Sequence, residues 1–156
     1  MELIDGEVRL TSPIGPLHIA LVNKLNHMLT FQLGTQAIVS IQNPIQLDDF
    51  SEPQPDIAIL HAREDFYALA TARADDVLFV IEIADRSIDY DRNEKAPRYA
   101  AAHIRELWIV DVNRKIIEQY SKPHKEEYTQ ILKLFPDATL QSQSLPAIVI
   151  EVSKIF

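Results

Sequence analysis

The segment Val77-Leu-Phe-Val-Ile-Glu-Ile-Ala84 constrains this chain more than any other. It is the most hydrophobic stretch, and its β-branched and aromatic content favours a central strand over a turn of helix. One residue breaks the pattern. Glu82 stands near the end of what should be the best-buried strand, where an ionised carboxylate is costly unless a cation or several donors compensate it. The alternative is an edge strand, whose period of two would carry Val80 and Ala84 to the solvated face together with Glu82. The first reading makes Glu82 a functional carboxylate at a strand terminus.

The surrounding chain supplies what a central strand needs. Asp5-Gly6, with apolar residues on both sides, predicts a tight hairpin turn. Pro16 suits the first position of a helix, Leu17, Leu21, Leu25 and Leu29 recur every four residues beside Val22 and Met28, and Gly34 can end it. Strands are expected at 37–41, 44–47, 57–60, 107–112, 116–120, 128–134 and 147–152, with a short helix at 66–74. A second helix is expected over 92–103, with Pro97 in its first turn or at a kink. This order describes an α/β (α+β) fold with a mixed central sheet flanked by helices, preceded by an N-terminal hairpin and closed by C-terminal antiparallel strands. The length of 156 residues fits one domain, residues 1–156.

Composition removes several functions. The absence of cysteine excludes thiolate zinc sites, iron–sulfur clusters and cysteine nucleophiles. With 3 glycines and no glycine-rich phosphate loop, an NTPase or dinucleotide-binding reading falls. The histidines lack HExxH-type spacing, and no nucleophile elbow occurs. No apolar run is long enough to span a membrane and no secretory signal is visible, so a cytoplasmic protein is expected. The net charge of −8 argues against strong non-specific binding to nucleic acid. Its distribution is uneven: residues 48–94 carry 13 acids and 4 bases, whereas residues 95–156 carry 7 acids and 9 bases.

The acidic middle third contains a partner for Glu82. Asp56 opens the strand Ile57–Leu60, where it could equally be a loop-ending residue bonded to the backbone. If the strands are adjacent, the two carboxylates repel and raise each other's pKa. A divalent cation removes that conflict, and Mg²⁺ or Mn²⁺ favours oxygen ligands. Such an ion can polarise a phosphate and generate a hydroxide nucleophile. Lys95, in the first turn of the following helix, is the cation best placed to approach the phosphate; the plainer reading is a solvated lysine paired with Asp91. His18 could contact a phosphate or the metal but reads first as a polar helix-face residue, Asp111 as the cap of the Asn113-Arg114 turn, and Trp108 and Tyr99 as core.

Asp56 followed by Glu82 on a hydrophobic strand is similar to the PD-(D/E)xK nuclease superfamily. More closely, the chain resembles the Uma-two family of restriction-endonuclease-like proteins. The resemblance rests on Glu2-Leu-Ile-Asp-Gly-Glu7, Ser12-Pro13 with His18, Asn43-Pro44-Ile45, Pro55-Asp56-Ile57-Ala58 and Val80-Ile81-Glu82-Ile83. It continues through Asp91 with Lys95 and Tyr99, and Leu107-Trp108-Ile109-Val110-Asp111. It implies metal-dependent hydrolysis of DNA, with Asp56, Glu82 and the carbonyl of Ile83 as metal ligands and Lys95 orienting the attacking water. The superfamily's lysine position two residues after the glutamate holds Ala84, and the first helix lacks the acid some members carry there; Glu7 could substitute from the hairpin. Arg98, Arg105, Arg114 and Lys115 are the candidate DNA contacts, and a homodimer would bring two sites to a duplex. The competing readings are a catalytically inactive nuclease-like module that binds DNA or protein, and a hydrolase for a small phosphorylated substrate.

Overall fold

The computed structural model describes residues 1–11 and 13–156; Ser12, one of the residues carrying the resemblance, lies outside the described residues. A short hairpin, β1 (Glu2–Ile4) and β2 (Glu7–Arg9), turns through Asp5 and Gly6 at φ 50° and 76°, the left-handed conformations that a two-residue turn of this kind requires. Helix α1 (Pro16–Leu33) follows and ends at Gly34, whose amide bonds to the Thr30 carbonyl. The main sheet comprises β3 (Ala37–Ile41), β4 (Ile57–His61), β5 (Val77–Ala84), β6 (Glu106–Asp111), β7 (Ile116–His124) and β8 (Glu127–Leu134), in chain order across the sheet. Only the β5–β6 pair is parallel. The crossover between them carries a helical stretch, α2, spanning 88–101. A final pair, β9 (Thr139–Gln141) and β10 (Val149–Glu151), completes the fold.

Both faces of the sheet are covered, and β5 shows how. Phe79, Ile81 and Ile83 pack with Leu21, Val22, Leu25 and Leu29 of α1 on one face. Val80 and Ala84 pack with Ala96, Tyr99 and Ala100 of α2 on the other. Glu82 therefore shares a face with Val80 and Ala84, as alternation requires, but that face lies under a helix rather than in solvent, and the edge-strand alternative is excluded.

Four expectations need correction. Residues 44–47 form no strand; their backbone groups bond within the loop and to its neighbours, Ile45 to Pro53, Leu47 to Ser51 and Gln46 to Ala72, leaving one isolated bridge at Gln46. Residues 66–74 form no helix, because Phe66 and Tyr67 adopt positive φ (50° and 63°) and Asp65 ties the turn by accepting from the Tyr67 amide. The expected helix 92–103 starts earlier, at Ile88–Tyr90, passes through a π-helical turn, Asp91–Lys95, and resumes as Ala96–Ala101. Pro97 cannot donate to the carbonyl four residues before it, and the wider turn immediately ahead of it takes up the irregularity. Finally, Leu17 is exposed, and the buried stripe of α1 begins at His18.

Candidate active site

The site lies where β4 begins and β5 ends. Ile57 pairs with Ile81 across the antiparallel ladder, so Asp56 stands level with Glu82. The two residues clamp each other through the main chain: the Ile83 amide donates to Asp56 Oδ2 at 2.8 Å, and the Asp56 amide makes a long approach of 3.4 Å to Glu82 Oε2. This reciprocity follows from strand register alone.

Glu82, 3% exposed, is met from above by α2. Lys95 Nζ lies 2.6 Å from its Oε1, and the Tyr99 hydroxyl donates to the same oxygen at 2.6 Å. Both strong donors therefore reach one oxygen and leave Oε2 with the long amide contact only. Lys95 is itself buried and makes a second ion pair, at 2.8 Å, with Glu2 of the N-terminal hairpin. Glu2 Oε1 also accepts the Gln54 amide at 2.8 Å. Asp91, in the π-helical turn one helical step before Lys95, is buried and accepts from the Ser87 hydroxyl at 2.7 Å. Beneath the sheet edge, α1 delivers His18, whose Nε2 is 3.1 Å from Asp56 Oδ1 and whose Nδ1 is buried without a partner. Asp56 is the member most open to solvent, with 15% of its side chain exposed.

Four carboxylates thus surround one lysine and one histidine, and the electrostatics record the imbalance. Burial pushes Glu82 up to about 8, the charges of Asp91 and Asp56 adding to it and Lys95 opposing it. Burial likewise pushes Asp91 up to about 6, again against the pull of Lys95. For Lys95, burial works against the charged form, but Glu82, Glu2 and Asp91 together outweigh it and hold the ammonium above its ordinary value. The hydrogen bond to Asp56 raises the His18 imidazole against the opposing effect of burial. A cluster short of positive charge, its acceptors mainly hard carboxylate oxygens and one of them under-satisfied, fits a small divalent cation in its chemistry. Among the described residues no three His, Asp or Glu side chains gather as a ready metal cage, so such an ion would rest on Asp56, Glu82, backbone and water.

The structure therefore brings Asp56, Glu82 and Lys95 together, with Ile83 adjoining through its backbone. It overturns the reading of Lys95 as a solvated partner of Asp91, and it turns the helix-face His18 inward, against Asp56. Glu7 does not join: it is exposed and pairs with Arg9, and the acid that the hairpin contributes is Glu2. Tyr99 is core, as expected, but also a donor to Glu82. Asp111 accepts the Arg114 amide at 3.0 Å and so caps its turn, and Trp108 is buried against Phe79. Arg98 is tied to Asp5 of the hairpin and lies 3.8 Å from Glu126. Arg105 is not brought to the site: it precedes β6, whereas the β6 residue level with Glu82 is Ile109. Arg114 and Lys115 are exposed in the turn after Asp111, at the site's end of the sheet. One signal for His18 was present, its spacing three and four residues before Leu21 and Val22 on the apolar stripe. Glu2 was visible only as the start of the Glu2–Glu7 stretch that carries the resemblance, since its role depends on a partner 93 residues away.

Residues 1–153 match the family Uma2, described as "Putative restriction endonuclease". Among solved structures, the fold resembles a crystal structure described as a "putative nuclease belonging to DUF820" from Anabaena variabilis. That likeness has a TM-score of 0.78 and 16% identity, covering 99% of this chain and 88% of the other. No curated protein matches the chain. No described helix is long and apolar enough to cross a membrane. With a nuclease-like fold around a buried carboxylate–lysine cluster, the chain belongs to the Uma2 family.

Proposed function

We propose that this protein is a Mg²⁺- or Mn²⁺-dependent endodeoxyribonuclease that hydrolyses phosphodiester bonds by attack of water, acting on DNA in the cytoplasm. The observation that carries this reading is the pairing of Asp56 and Glu82 at adjacent strand ends, with Glu82 Oε2 held only by the long Asp56 amide contact while Oε1 is held by Lys95. Asp56, Glu82 and the carbonyl of Ile83 would hold the ion. When bound, a divalent cation supplies Lewis-acid charge beside a phosphate and makes water more acidic. Lys95, kept protonated between two carboxylates, serves as a hydrogen-bond donor that orients water and faces developing negative charge; it is not a base. His18 steadies Asp56. Arg98, Arg114 and Lys115 are the cations nearest this end of the sheet for backbone contact, and a homodimer would present two sites to the two strands.

One observation favours a second reading, a nuclease-like module without catalysis that binds DNA or protein. Ala84 fills the superfamily's lysine position, and both oxygens of Asp56 already have internal donors, as a self-sufficient structural cluster would. Calorimetry separates the two. Wild-type protein is expected to bind Mn²⁺ and the Glu82→Ala variant to lose that binding; equal binding, or none in either, sinks the metal site. Plasmid nicking by wild type, reduced in Lys95→Ala, supports the enzyme, and equal nicking removes Lys95 from the mechanism.

A further inference from the structure

The N-terminal hairpin buries Glu2 to 5% exposure, and docking contacts that do not involve this side chain accompany it. Leu3 and Glu52 exchange backbone hydrogen bonds at 3.3 and 2.7 Å, the Gly6 amide donates to Phe50 at 2.7 Å, and the Asp5 amide donates to the Ser51 hydroxyl at 3.1 Å. Arg98 adds an ion pair to Asp5. A buried carboxylate is costly unless it is paired and hydrogen-bonded, and among the described residues the cation that pairs with Glu2 is Lys95. An ammonium has three N–H donors. In Lys95 one points to Glu82 at 2.6 Å and one to Glu2 at 2.8 Å, which fixes the direction of the third.

We propose that Glu2 is a positioning residue for Lys95: the docked hairpin fixes the ammonium at two points, so that its remaining N–H is aimed in one direction. With Glu82 as the sole carboxylate partner, the ammonium could turn about its hydrogen bond to Glu82 Oε1, the flexible four-carbon stem following, and carry the other two donors around a circle. Glu2 stops that rotation. Tyr90, whose hydroxyl lies 3.4 Å from Glu2 Oε2, and the Gln54 amide hold the Glu2 carboxylate in turn, so the constraint passes from the loop before β4 to the helix after β5. This inference rests on the reading of Lys95 as a catalytic donor, and it extends the site to an element that carries no metal ligand.

A double-mutant cycle tests it. Glu2→Gln keeps the side chain's shape and weakens its hold on the ammonium. It is expected to lower kcat for plasmid nicking on the order of 10-fold while KM changes less than about twofold, since misaimed donors cost rate rather than binding. In a Lys95→Gln background the same substitution is expected to change kcat by less than about twofold. A purely structural hairpin contact would instead give additive losses, and additive losses overturn the proposal. Glu7→Gln, on the same hairpin but away from Lys95, should match wild type; a loss equal to that of Glu2→Gln overturns it as well. A readout independent of nuclease activity is acetylation of Lys95 by an amine-reactive ester, measured by mass spectrometry in the metal-free protein. Labelling several-fold faster in Glu2→Gln supports the link even if wild type nicks no DNA, and equal labelling removes it. Should thermal melting show Glu2→Gln unfolded, Glu2→Asp, which keeps the charge and shortens the reach, carries the same measurements.

Discussion

Glu82 and Glu106 sit on neighbouring central strands and are both buried, yet they are different objects. Glu106, facing the α1 side, receives two donors on each oxygen: Trp108 Nε1 at 2.6 Å and Gln119 Nε2 at 2.8 Å on Oε2, the Ser142 hydroxyl at 2.7 Å and the Ser144 amide at 2.9 Å on Oε1. All four are neutral, and together they pin the segment after β9 to the sheet. Glu82, facing α2, has a cation and a phenol on one oxygen and a 3.4 Å amide contact on the other, with carboxylates crowded around it. Burial of a carboxylate does not mark a site. What sets Glu82 apart is an oxygen with one long contact beside an excess of like charge.

The largest expected consequence is catalytic. Glu82→Gln should lower plasmid nicking on the order of 10³-fold, the scale seen when an electrostatic element of a site is removed. Glu106→Gln, corrected for folded fraction, should leave it within about twofold of wild type, because Glu106 touches nothing at the site. A catalytic loss from Glu106→Gln with the fold intact would break the comparison.

Stability should show the reverse order. A glutamine at position 106 turns an amide donor toward an existing donor and is expected to cost about 2 kcal/mol in urea denaturation. Glu82→Gln should cost less, because burial and the charges of Asp91 and Asp56 work against a carboxylate there, while an amide oxygen can still accept from Lys95 and Tyr99 and Lys95 keeps Glu2 as its counter-ion. If Glu82→Gln proved the more destabilising, the site would be holding the fold together rather than spending stability on chemistry.

A third buried glutamate sharpens the contrast on a smaller scale. Glu118 of β7 is gripped by Arg92 through two nitrogens and by the Tyr120 hydroxyl. Burial would raise its carboxyl, but these donors prevail and hold it below the ordinary 4.5. A depressed folded pKa stabilises above the unfolded value, and that contribution is lost as pH falls through the folded one. Thermal melts from pH 5 downward should therefore fall less steeply in Glu118→Gln than in wild type, by about 1 kcal/mol or less for a partly solvated pair.

Much of this architecture was legible locally. The Asp5-Gly6 turn, the stripe of α1 and the strands at 37–41, 57–60, 77–84 and 107–112 each follow from short-range pattern. Asp56 and Glu82 could be paired because both sit at strand ends. What escaped depended on distant partners. Glu2 acquires meaning only from Lys95, and the inward turn of His18 was hidden by Leu17, which continued the every-fourth-residue pattern but faces solvent. Pro97 announced an irregular helix; that the irregularity would be a π-helical turn seating Asp91 and Lys95 over β5 required the sheet to be in place. The segment 66–74 failed for a simpler reason, since two consecutive positive φ values at ordinary residues are set by the Asp65 turn and not by propensity.

The hairpin's reach from position 2 to position 95 also bears on the order of assembly. Contacts between residues so far apart in sequence carry a loop-closure cost that the local β4–β5 pairing does not. The strand pair carrying Asp56 and Glu82 can exist without the hairpin, but the two-point grip on Lys95 cannot. A growing chain that stops short of Lys95, or a mature one whose hairpin has peeled away, lacks the aimed ammonium. On the proposed reading, detaching the hairpin would remove the second anchor of the ammonium while the Asp56–Glu82 register, set by β4 and β5, stayed in place.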